Sequence, residues 1–93
     1  MAGANKIDHG AVAERVERVR EYLGCVTHRQ FADKLGVSMQ RINNVLRGHP
    51  LSRDVAFRMT QKVPGLTFDW LWLGNPAGLP LRLAKQLVRQ SRR

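Results

Sequence analysis

The stretch RQFADKLGVSMQRINNVLRG, residues 29–48, decides how the chain folds. Phe31, Ala32 and Leu35 fall on one side of a 3.6-residue period, and Gly36 interrupts it. A second period then opens at Ser38 and carries Ile42, Val45 and Leu46. Two short helices joined by a turn satisfy this pattern. Thr27 and Gln30 have the spacing of a capping box, in which each side chain reaches the other's backbone N–H, and Ser38 is a favoured N-cap. Gly36 offers the positive φ that ends a helix and reverses the chain cheaply. Opposite the second apolar stripe, Gln40, Asn43, Asn44 and Arg47 stand at i, i+3, i+4 and i+7 and share one face.

Helical spacing continues on both sides of this stretch. Upstream, AVAERVERVREYLG places Val12, Val16, Val19 and Leu23 on one face, with Gly24 as a stop, and residues 1–7 read as a flexible arm. Downstream, Ser52 caps a helix with Val55, Ala56, Met59 and Val63 inside, which VPG ends. Thr67 caps a short fifth helix, Phe68 to Leu73, stopped by Gly74. After NPAGLP, Leu83 and Leu87 share one side of an extra C-terminal helix with Pro80 near its first turn. The expectation is an all-α fold: a compact bundle of about five short helices with a central helix-turn-helix over 8–74. Residues 75–93 follow as a basic C-terminal segment.

With 93 residues, the chain holds one domain. Sixteen Lys and Arg oppose seven Asp and Glu, a net charge of +9. Residues 1–27 are balanced, whereas residues 28–62 carry seven basic and two acidic groups, and residues 75–93 carry five basic groups and no acid. Such a distribution draws a small protein to polyanions. One cysteine, Cys25, permits no internal disulfide and reads as a small core residue in a reducing cytoplasm. No apolar run approaches the roughly 20 residues of a membrane span, and MAGANKIDHG lacks the apolar middle of a signal peptide.

His9, His28 and His49 have no partner at metal-ligand spacing, and one Cys cannot build a zinc site. Phosphate loops, nucleophile elbows and clustered carboxylates are absent. The chain is therefore expected to need no metal or cofactor and to be no enzyme. The amide row is more specific. Asn and Gln suit the adjacent N6 and N7 of adenine, and Arg suits O6 and N7 of guanine. A merely solvated helix face would more commonly carry Glu and Lys, and mid-helix Asn costs roughly 0.5 kcal/mol relative to Ala.

The stretch 29–48, with the later FDWLWLG, resembles the lambda-repressor/Cro-like helix-turn-helix family, also called the XRE family. The resemblance covers roughly residues 12–74 and rests on Ala32, Gly36, Val37, Ser38, Ile42 and Gly48. It implies a bundle of about five helices that binds double-stranded DNA at a pseudo-palindromic operator, as a homodimer, on the bacterial nucleoid. Carried over by position, Ser38, Met39, Gln40, Asn43, Asn44 and Arg47 face bases. Thr27, His28, Arg29, Arg41, His49, Ser52 and Arg53 face phosphates. His28 stands where the family commonly has a bracing Gln, which would make binding pH-sensitive. Met39 either touches a thymine methyl or packs. Trp70 and Trp72 cannot both face inward on so short a helix, and dimerisation is expected through this helix and the C-terminal segment.

The expected function is that of a sequence-specific transcriptional regulator, a repressor acting by operator occlusion. Two alternatives stay open: an antitoxin-type autoregulator whose C-terminal segment engages a protein partner, and an interaction adaptor on the same scaffold. An adaptor has no need of Gln40, Asn43, Asn44 and Arg47 in a row.

Overall fold

The structure, a computed structural model, describes residues 7–88. Six helices follow in chain order: α1 (His9–Tyr22), α2 (His28–Leu35), α3 (Met39–Leu46), α4 (Arg53–Lys62), α5 (Phe68–Leu73) and α6 (Leu81–Val88). Among the described residues there is no strand. The expected bundle and its extra C-terminal helix are both present. The expected arm lies outside the described residues except for Ile7, which packs partly against the core.

Local chemistry sets most boundaries. Asp8, Thr27, Ser38, Ser52 and Thr67 each accept a hydrogen bond from the backbone N–H three residues on. The Asp8 cap starts α1 two residues ahead of the apolar periodicity, which begins at Ala11. The capping box at α2 is complete: Gln30 Oε1 accepts from the N–H of Thr27 at 3.3 Å while Thr27 Oγ1 accepts from the N–H of Gln30 at 3.1 Å. Arg47, expected on the helix, is the C-cap of α3.

The core forms around α1. Val12, Val16 and Val19 are each 0% exposed. α1 packs against α3, α5 and α6, while α2 packs against α3 and α4, and α4 against α5. Ala32 is buried where α2 meets its neighbours, and a larger side chain there would hold the helices apart. Leu79, Leu83 and Leu87 join the same cluster, so the chain through residue 88 belongs to the bundle. No helix among the described residues is long and apolar enough to cross a membrane.

Arginines from α1 and α4 brace the connections by donating to backbone carbonyls that the helices leave unpaired. Arg15 Nε donates to Leu71 O at 3.0 Å and its Nη2 to Trp72 O at 3.3 Å, at the end of α5. Burial lowers the Arg15 pKa from its ordinary value, but a guanidinium stays charged in proteins. Arg20 Nη1 donates to Cys25 O at 2.7 Å and Val26 O at 3.2 Å, fastening the loop between α1 and α2. Arg58 Nη1 donates to Leu35 O at 3.1 Å and Gly36 O at 3.4 Å. Gly36 (φ 76) and Gly74 (φ 76) each take the left-handed conformation beside one of these braces. A Cβ at Gly36 would stand 2.9 Å from Arg58 Nη1, and one at Gly74 would stand 2.8 Å from Arg15 Nη1.

Docking of α6 has a direct test. Leu87 is 0% exposed and Leu81, on the same helix, is 74% exposed. In denaturant titrations Leu87→Ala is expected to cost about 2–5 kcal/mol, and Leu81→Ala less than about 0.5 kcal/mol. Equal costs would mean that α6 does not seal the core.

Candidate nucleic-acid interface

α3 is two-faced. Ile42 and Val45 are buried, Met39 and Leu46 pack partly against the core, and the polar stripe is turned the other way. Gln40, Asn43 and Arg47 are exposed and Asn44 half-buried. None of these four side chains makes a hydrogen bond or ion pair with another described residue. All their donors and acceptors are therefore available to an outside partner. Arg47 borders a shallow groove shared with Glu14 and Glu17 of α1 and with Gly48. Of the two readings of Met39, its contact with the core favours packing.

The capping hydroxyls of Thr27, Ser38 and Ser52 each use a lone pair on their own helix, which leaves the O–H free to donate outward. The first N–H groups of α2, α3 and α4 have no backbone partner, as helix starts require, and such ends attract anions. The starts of α3 and α4 are neighbours, because Arg41 Nη1 reaches Asp54 Oδ2 at 3.3 Å. Arg29, His49 and Arg53 are exposed with no side-chain bond to a described residue.

Two expected phosphate contacts are already engaged. His28 Nε2 lies 2.8 Å from Glu17 Oε2. An ionised carboxylate only accepts, so that nitrogen carries a hydrogen, and the ring's donor is spent on α1 rather than on an anion. This contact links α2 back to α1. Arg41 is held by Asp54, and Asp54 in turn by Arg58 Nε, at 3.2 Å and 3.3 Å to its two oxygens. Asp54 and Arg58 lie outside the positions to which the family resemblance points, although their i, i+4 spacing on one helix is itself a signal for an ion pair.

The tryptophans divide. Trp70 is 3% exposed, so its expected part in a dimer surface is withdrawn: its ring fills the core. Trp72 is half-buried and meets Phe68 edge-on, with ring centroids 5.6 Å apart. These two rings, with Phe57, line a shallow cleft between α4 and α5 bordered by Arg53 and Asp54. Phe57 and Phe68 are exposed, so the cleft presents aromatic surface to solvent. Among the described residues no three His, Cys, Asp or Glu side chains gather as metal ligands.

Comparison with known proteins adds no relative: no family model, curated protein or solved structure matches the chain.

Electrostatics at Glu17 set an acid limit on the α1–α2 link. Burial alone would raise the Glu17 pKa, but hydrogen bonds and charge from Arg20 and His28 outweigh it and hold the carboxyl below its ordinary value. The stabilisation is present above the ordinary glutamate range and is lost as pH falls through the depressed folded value. Urea midpoints taken at about pH 7 and about pH 3.5 are expected to differ more for the wild type than for Glu17→Gln. An equal acid loss in both would show that Glu17 is not linked to folding.

Proposed function

We propose that the chain is a sequence-specific DNA-binding transcriptional regulator that represses by occluding its operator, with α3 lying in the major groove. One observation carries the reading. Gln40, Asn43, Asn44 and Arg47 stand in a row on the outward side of α3 with no internal hydrogen bonds. Amides and a guanidinium are the groups that read adenine and guanine edges. Arg29, His49 and Arg53 flank the reading surface and supply phosphate contacts, aided by the hydroxyls of Thr27, Ser38 and Ser52.

The resemblance to the lambda-repressor/Cro-like family supports the same reading, and with it action at the bacterial nucleoid. A pseudo-palindromic operator calls for two copies related by a two-fold axis. The aromatic cleft of Phe57, Phe68 and Trp72 is the surface that would pair them. No metal, cofactor or catalytic step enters.

The test is a salt titration of binding to duplexes selected from a random pool, with unselected duplex as reference. Asn43→Ala/Asn44→Ala is expected to lose at least about tenfold of the preference for selected DNA, since each amide contact discriminates by roughly 1–3 kcal/mol. Arg53→Ala is expected to weaken binding to both duplexes and to lower the salt slope by about one. A selection that returns no motif overturns the reading.

A further inference from the structure

Among the described residues, one side-chain bond ties α3 to another helix: Arg41 to Asp54. Every other polar group on α3 caps its own helix or points outward. That bond belongs to a relay. Leu35 O and Gly36 O, at the turn before α3, accept from Arg58 Nη1. Arg58 Nε grips both oxygens of Asp54, and Asp54 Oδ2 accepts from Arg41 Nη1. The carboxylate is thus fixed from one side by a guanidinium that is itself pinned to the backbone of the turn.

The contact on Arg41 is single. It engages Nη1 through one bond of 3.3 Å and leaves Nε and Nη2 uncommitted. Side-chain exposures of 47% for both Arg41 and Asp54 leave the free part of the fork open to solvent. An exposed ion pair of this kind adds little to stability, so its consequence lies in where it aims the guanidinium. Arg41 flanks the polar stripe of α3 on the side toward α4, where the unpaired N–H groups that open α4 also lie. A phosphate placed there would meet the remaining arms of Arg41.

We propose that Asp54 is a positioning residue for DNA binding: it holds Arg41 in the orientation that grips a backbone phosphate and so sets the register of α3 in the groove. The inference rests on the DNA-binding reading above. It predicts the opposite of simple charge counting. Removing a carboxylate beside a polyanion site should tighten binding, yet loss of the aim should weaken it.

The experiment compares wild type, Asp54→Asn, Arg41→Ala and the double variant on a selected duplex and on random duplex, between 50 and 200 mM salt. Circular dichroism melts confirm that each variant is folded. Asp54→Asn is expected to bind the selected duplex more weakly and to lose about 0.9 from the salt slope, the share of one phosphate. Its gap to wild type should therefore narrow by about 3.5-fold across that salt range. Arg41→Ala should lose the same slope, and the double variant should lose no more than either single one. Tighter binding by Asp54→Asn, or a wild-type slope, overturns the proposal while leaving the DNA reading intact. Should Asp54→Asn not fold, a wild-type slope in Arg41→Ala overturns it equally. If wild type itself prefers no selected sequence, the DNA reading falls and this inference falls with it.

Discussion

The row Val12, Val16 and Val19 on α1 is the constraint on which the rest depends. Three faces dock on that helix, those of α3, α5 and α6. α3 can keep its amides in water only because its other side, Ile42 and Val45, is sunk into this seam. Magnitudes support the order of causes. Complete burial of one such aliphatic side chain is worth about 1.5–3 kcal/mol, whereas an exposed ion pair is worth roughly 0.2–1 kcal/mol. Apolar packing therefore chooses the fold, and charged contacts adjust orientation within it.

Positive charge in this protein serves two ends. Arg15, Arg20 and Arg58 point back to carbonyls at the end of α5, in the loop after α1 and at the turn after α2. These groups satisfy carbonyls at helix ends and in connections that helical hydrogen bonding leaves open. Arg29, Arg47 and Arg53 have no such employment and form the outward field. The strongly basic composition is thus partly structural, and the net charge alone overstates what is available to a polyanion.

Local signals were legible in the chain, and distant ones were not. Thr27 with Gln30, Ser38, and Gly36 each declare themselves within four residues, because capping and chain reversal are local events. The outward placement of Gln40, Asn43, Asn44 and Arg47 follows from period alone. By contrast, Arg15 reaches carbonyls 56 and 57 residues away, and Glu17 reaches His28 across a loop. No spacing rule announces such pairs, since their meeting depends on how the helices dock. Which tryptophan of α5 turns inward is decided the same way, by the place that α1 leaves open for Trp70.

The stripe on α3 contributes nothing to internal bonding, and the side that packs contributes nothing to the outward face. Substitutions at Gln40, Asn43, Asn44 or Arg47 therefore leave the fold's energetics almost untouched. Under the proposed function, recognition becomes evolvable at little structural cost: selection can exchange one binding preference for another along this face without endangering the fold. The buried side of the same helix has no such liberty, and neither does Asp54, whose place in the relay couples the changeable surface to the part that must stay fixed.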